Sequence, residues 1–323
     1  MTPLIPATVL TGFLGAGKST LLRRVLTEPH GRKIAVIENE FGEENIDSEI
    51  IVAGGDERII QLSNGCLCCG IRDDLRATLA DLAAQRSAGA IDFDQVMIET
   101  TGLADPGPIA QTFFLDPAIA AAYRPDAVLT LVDAKHAMQQ LDTRGEARRQ
   151  VGFADRLFIS KADLVSEADL RALSERLWRM NPRATQRSVA FGDVNLAEIF
   201  DVGGFNLSPD LELEPSPACR DHDHHTPAHH HHDDDVKSFV FRSDRPFHRI
   251  RFGLFMNTLV KAHGAALLRY KGVVAWREWP VEPWLSTPAA KDKVAEFIVT
   301  TQPLHDWLDT HVGPSQLAES RRR

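Results

Sequence analysis

The sequence predicts an α/β fold: a mostly parallel sheet covered by helices, followed by a smaller C-terminal α+β domain. Three observations carry this. Short apolar runs alternate with helical patterns through the first two hundred residues, which is how a parallel sheet with crossover helices reads. A glycine-rich loop joins the first such run to the first helix. A polar stretch rich in Pro, His and Asp then interrupts the pattern before a new alternation begins near Ser238. Residues 1–205 are therefore expected to form one domain, residues 206–235 a flexible linker, and residues 236–323 the second domain.

Strands are predicted at Ala7–Leu10, Lys33–Ile37, Gln95–Ile98, Ala127–Val132, Arg156–Ile159 and Ser188–Phe191, each a short run rich in Val, Ile, Leu or Ala. Helices are predicted at Ser19–Leu26, Asp73–Gln85 and Glu167–Met180. In the second domain the alternation of Ser238–Arg242 predicts a strand, His248–Phe252 another, and Leu254–Leu268 a helix. In sheets of this kind the chemistry gathers in loops at the carboxyl ends of the strands.

The chain has 323 residues, 43% apolar and 25% charged, an ordinary globular composition. A formal charge of −9 argues against nucleic acid or an anionic membrane as partner, because both require clustered Lys and Arg. No run approaches the roughly 20 apolar residues that span a bilayer, and the N-terminus lacks the basic start and cleavage site of a signal peptide. Three of the four cysteines lie within Cys66–Cys69, which suits metal or redox chemistry in a reducing compartment rather than a disulfide framework. A cytoplasmic protein is expected.

Gly12-Phe-Leu-Gly-Ala-Gly-Lys18-Ser19 fits G-x-x-x-x-G-K-[ST] between a strand and a helix. Its glycines let backbone N–H groups close around phosphate oxygens beside the positive end of the helix. Lys18 would reach the β- and γ-phosphates and Ser19 would ligate Mg²⁺. After the strand Gln95–Ile98 comes Glu99-Thr-Thr-Gly102. This suits a carboxylate behind Mg²⁺ and a backbone N–H on the γ-phosphate, or else a helix cap before Pro106. No glutamine or arginine follows it closely, so unaided hydrolysis should be slow. Ser160-Lys161-Ala162-Asp163 ends a further strand. Its Asp carboxylate can accept from the N1–H and exocyclic amine of guanine, a donor pair that adenine lacks, and Lys161 can lie along the base. Ser160 stands where such motifs usually carry Asn, and a plain helix cap is the competing reading.

Gly65-Cys-Leu-Cys-Cys-Gly70 brings three thiolates close in sequence, with glycines that let the chain fold back. Thiolates are soft ligands suited to Zn²⁺, Cu⁺ or an iron–sulfur cluster, with Co²⁺ a weaker fit. Three sulfurs leave one tetrahedral position open, as suits a site that passes its ion on. A redox pair or buried cysteines are the alternatives. Glu38, Glu40, Glu43 and Glu44 follow the second strand and can supply a further ligand, or simply form a solvated acidic loop. Asp221–Asp235 holds seven His and five Asp in fifteen residues, a low-specificity metal sponge or a polar linker. His136, His248 and His263 receive no functional reading.

Gly12–Thr20, Glu38–Gly42, Gly65–Cys69, Glu99–Pro106 and Ser160–Asp163 together closely resemble the CobW-type GTPases, a family of metallochaperones and metalloenzyme activators. Phe239–Gly272 resembles the start of that family's C-terminal domain, while Val273–Arg323 is expected to lack the strands that usually complete it. The resemblance implies GTP and Mg²⁺, with Zn²⁺ or Co²⁺ as the transition metal. It places nucleotide binding on Gly12, Gly15, Ala16, Gly17, Lys18, Ser19 and Thr20 and on Ser160, Lys161 and Asp163. It places catalysis on Lys18, Glu99 and Gly102, and the transition metal on Cys66, Cys68 and Cys69 with Glu38 and Glu43. Asp47 falls where a first switch would approach Mg²⁺ beside Ser19. The function so implied is GTP-controlled delivery of a metal to a client metalloprotein. A P-loop kinase of a small molecule or a His-rich metal buffer compete with it, and a homodimer stays open.

Overall fold

The computed structural model describes residues 3–39, 52–53, 60–62, 70–190, 193–205, 237–243, 246–264, 267–274 and 295–301. The chain divides into two units, Met1–Ser174 with Ala184–Phe205, and Glu175–Arg183 with Asn206–Arg323.

In the first unit, strands β1 (Ile5–Gly12), β2 (Ile34–Asn39), β3 (Val52–Ala53), β4 (Ile60–Leu62), β5 (Gln95–Glu99), β6 (Tyr123–Asp133), β7 (Arg156–Ser160) and β8 (Thr185–Val189) form one sheet. Its main path runs β3-β2-β5-β1-β6-β7-β8, with β4 also paired to β2. The six strands from β2 to β8 are parallel; β3 is antiparallel to β2. Helices α1 (Lys18–Thr27), α2 (Gly70–Ser87), α3 (Pro106–Leu115), α4 (Pro117–Ala122), α5 (Ala137–Thr143), α6 (Gly145–Phe153) and α7 (Glu167–Met180) complete the described helices up to Met180.

The central strands are apolar on both sides because each side meets helices. Ala7, Val9, Ala35, Ile37, Val96, Ile98 and Val128 pack with Leu75, Leu79 and Leu82 of α2 and Ile109 and Phe113 of α3. The alternate residues Leu10, Val36, Met97, Leu129, Leu131 and Phe158 pack with Leu21, Leu22 and Val25 of α1. Period-two alternation thus sorts each strand between two cores. Asp105 and Asp116 cap α3 and α4 through hydrogen bonds to backbone N–H groups, with Pro at the first position of each helix.

The predicted strand Ser188–Phe191 is found instead at Thr185–Val189. At the end of the sheet path its residues Gln186, Arg187 and Ser188 are polar and partly exposed, so no apolar run marked its start. In the second unit β9 (Lys237–Ser243), β10 (Leu267–Val274) and β11 (Ala295–Thr301) form an antiparallel sheet in the order β10-β11-β9. Here three expectations are corrected. His248–Phe252 is not a strand: His248 precedes α8 (Arg249–His263), and Ile250 in the middle of the apparent alternation is exposed. The helix predicted to reach Leu268 stops at His263, and Leu267 already belongs to β10. The segment after Gly272, expected to lack strands, supplies β11 as the central strand of this sheet. Among the described residues no helix is long and apolar enough to cross a membrane.

Candidate nucleotide and metal site

The parallel register brings the strand ends together. Leu10 of β1 and Glu38 of β2 both register with Glu99 of β5, and Asp133 of β6 registers with Ser160 of β7. Val36, Met97, Leu131 and Phe158 lie in the core beneath α1. Two residues further along each strand, Glu38, Glu99, Asp133 and Ser160 therefore project on that same face. The sheet changes from apolar to polar at its carboxyl edge, on the side of the glycine-rich loop.

That loop requires its glycines. Gly12, Gly15 and Gly17 have φ of 146°, 73° and 97°. A Cβ on Gly12 would sit 2.5 Å from the Leu131 carbonyl oxygen. The turn closes with Ala16 N–H donating to the Phe13 carbonyl at 3.1 Å. No side chain caps α1, so its first amides face the loop. Lys18 is buried and donates to the Gly12 and Phe13 carbonyls at 2.9 and 3.4 Å, its ammonium held inside the loop it would serve. A concave set of backbone donors with one buried ammonium fits a polyphosphate. Thr20 is exposed on the first turn of α1.

Ser19 Oγ donates to Glu99 Oε1 at 3.0 Å, joining the helix start to the end of β5. The cap before Pro106 is Asp105, which leaves Glu99 with Ser19 rather than with α3. A hydroxyl and a carboxylate at the mouth of a phosphate loop are hard oxygen donors of the kind Mg²⁺ takes. The loop after Glu99 is tied down at several points. Thr100 N–H donates to the Leu10 carbonyl at 2.9 Å, and Thr100 and Thr11 share a hydroxyl hydrogen bond of 2.8 Å. Gly102 lies against the phosphate loop so closely that a Cβ there would be 2.7 Å from Leu14 N.

On the base side, Ser160 Oγ donates to the Ala16 carbonyl at 2.7 Å, so the serine links its loop directly to the phosphate loop. Ser160 therefore does not cap a helix. Lys161 adopts φ 56°, a left-handed conformation, and its ammonium sits 2.7 Å from Asp133 Oδ2. The Asp133 carboxylate also accepts from Lys135 N–H and His136 Nδ1, both at 3.0 Å. Burial pushes its carboxyl up, but the hydrogen bonds from Lys161 and His136 outweigh burial and leave it below its ordinary value. Asp163 is exposed two residues beyond Lys161. Sequence reasoning had passed over Asp133 and His136. A carboxylate closing the longest apolar strand was the available signal. It also passed over Gln150 of α6, whose Nε2 reaches the Gly102 and Ala104 carbonyls.

Of the transition-metal candidates, Glu38 is described and stands beside Glu99 in the sheet. Glu43, Asp47, Cys66, Cys68, Cys69 and the tract 221–235 lie outside the described residues. Among the described residues no cluster of three His, Cys, Asp or Glu could hold a metal.

The nucleotide-binding domain family described as CobW/HypB/UreG matches residues 6–187, more than half of the chain, and the cobalamin synthesis protein cobW C-terminal domain matches residues 236–287. The chain belongs to the CobW family. Its fold is the P-loop GTPase fold of that family with the C-terminal domain attached. Among curated relatives, the zinc chaperone YjiA of Escherichia coli is 42% identical over 272 residues, covering 84% of this chain and 81% of that protein. The zinc-regulated GTPase metalloprotein activator 1 of Schizosaccharomyces pombe is 34% identical over 217 residues, or 65% of this CobW-family chain and 52% of the yeast protein. The alignment thus spans about half of the yeast relative. The crystal structure of Zn(II)-bound YjiA GTPase from E. coli superposes with a TM-score of 0.72 at 34% identity, covering 94% of this chain and 96% of that one.

Proposed function

We propose that this chain is a GTP-hydrolysing metallochaperone that carries zinc to a client metalloprotein. Cys66, Cys68 and Cys69 hold the zinc together with Glu38 and Glu43, and nucleotide state controls capture and release. The reading rests above all on one juxtaposition: Glu38 of β2 is the registered neighbour of Glu99 of β5, and Glu99 accepts from Ser19. Adjacent strands lie about 4.8 Å apart, so a transition-metal ligand and the carboxylate behind Mg²⁺ share one edge. The relatives support the cargo, since YjiA is named a zinc chaperone and the yeast protein a metalloprotein activator.

In this account Lys18 leaves the Gly12 and Phe13 carbonyls for the β- and γ-phosphates, Ser19 and Asp47 hold Mg²⁺, and Gly102 N–H reads the γ-phosphate. Asp163 selects guanine, with Lys161 along the base. GTP orders residues 38–47 and so gathers the thiolates; hydrolysis relaxes them and frees the ion. Zinc suits this cycle better than cobalt because thiolate ligation and a four-coordinate preference match three cysteines and an open position. Phosphate release from GTP but not ATP, abolished in Lys18→Ala, tests the hydrolase. Zinc competition against a chelator on the protein loaded with a GTP analogue tests the cargo site. The Cys66→Ser, Cys68→Ser and Cys69→Ser variants should each lose the tight zinc equivalent. Unchanged zinc affinity in all three would remove the cysteines from the proposal.

A further inference from the structure

Gln150 lies on α6, outside every nucleotide motif, yet it is buried and its side chain ends at the loop that carries Gly102. Its Nε2 donates to the Gly102 carbonyl at 3.2 Å and the Ala104 carbonyl at 3.0 Å, which uses both of its N–H groups. The backbone beneath Gln150 is itself fixed, because Thr130 Oγ1 of β6 donates to the Gln150 carbonyl at 3.1 Å. One residue earlier, Arg149 pairs with Asp105 at 3.3 Å, at the other end of the same loop. Gly102 also abuts Leu14 of the phosphate loop, with no space for a methyl group. The peptide at Gly102 is thus held between a phosphate-loop backbone and one amide side chain.

We propose that Gln150 is a positioning residue for γ-phosphate recognition. By fixing the Gly102 carbonyl it sets the direction of the neighbouring peptide groups, and so decides how well the loop discriminates a triphosphate from a diphosphate. This rests on the reading of Gly102 as the γ-phosphate contact. On that reading a diphosphate would make no demand on this loop, since its oxygens would be met by the Gly12–Ser19 backbone and Lys18. Discrimination between the two nucleotides is therefore the property that a clamp on Gly102 controls, whereas a packing role would move both affinities or neither.

The experiment measures the affinities of the full chain for a non-hydrolysable GTP analogue and for GDP, each with Mg²⁺. The chains are wild type, Gln150→Leu and Gln150→Glu; the first change removes the donors and the second sets a carboxylate against two carbonyls. Losing two buried hydrogen bonds predicts a GTP-analogue affinity about tenfold weaker in Gln150→Leu, weaker still in Gln150→Glu, with GDP affinity held within about twofold. Equal losses for both nucleotides, or no loss for either, would overturn the proposal. Wild-type protein supplies an arm that does not depend on a variant folding. Amide exchange in α6 and in residues 99–105 should slow together with the GTP analogue and not with GDP, and exchange in α6 indifferent to nucleotide contradicts the clamp. If wild type binds neither nucleotide, it is the GTPase reading that has failed; if it discriminates and the Gln150 variants discriminate equally well, only the clamp has.

Discussion

Gly12 shows at the scale of one residue how geometry constrains the phosphate loop. Its φ of 146° and the Leu131 carbonyl 2.5 Å from any Cβ exclude every side chain. Gly12→Ala should cost roughly 1–3 kcal/mol in chemical denaturation, the range for strained backbone, and abolish binding of a GTP analogue. This requirement was legible in the motif itself. Asp133 was not, because its role comes from what β7 and α5 bring to it. Its carboxyl lies below the ordinary 3.8 in the folded protein. A group depressed on folding contributes stability above its unfolded pKa and loses it as pH falls through the folded one. The stability curves of wild type and Asp133→Asn should therefore stand apart above about pH 4 and converge below it. Curves that stay parallel into acid would show that the carboxylate charge does nothing for the fold.

At the scale of elements, the sequence was clear where strands are buried on both faces and opaque where they are not. β1, β2, β5, β6 and β7 are apolar runs because two cores claim their alternate residues. β8 at the end of the path carries Gln186, Arg187 and Ser188 and was displaced by a few residues in the prediction. In α8 the alternation of Ile250 and Phe252 imitated a strand. The burial instead follows Phe252, Phe255, Met256 and Leu259, the three- and four-residue steps of a helix. Its end was overrun because Ala265 and Ala266 suit helices, whereas α8 ends at His263 with Gly264 as its cap. Packing makes a direct prediction here. Leu79 is fully buried among the residues that hold α2 to the sheet, and Leu79→Ala should cost about 2–5 kcal/mol by denaturant titration. A loss below about 0.5 kcal/mol, the level of a surface change, would mean that α2 is not docked through this residue.

At the scale of the whole molecule, the candidate site is legible as a set of motifs and becomes a site only through topology. No sequence pattern states that Glu38 and Glu99 are neighbours; the strand order β2-β5-β1 does. The same order sets Gln150, Ser160 and Asp133 around loops whose motifs they do not belong to. The tract 221–235 adds imidazoles and carboxylates outside these motifs. Its deletion should lower total zinc bound at high concentration while leaving one tight equivalent, measured by competition with a chromogenic chelator; loss of the tight equivalent would make the tract the carrier. The proposed cycle requires that a triphosphate and a thiolate-held ion sense each other across one sheet edge. Calorimetric titration of the full chain with a non-hydrolysable GTP analogue, with and without one equivalent of Zn²⁺, measures that coupling. Zinc is expected to tighten the analogue by at least about fivefold, and the analogue to tighten zinc by the same factor. Identical analogue affinities in the two titrations would contradict it.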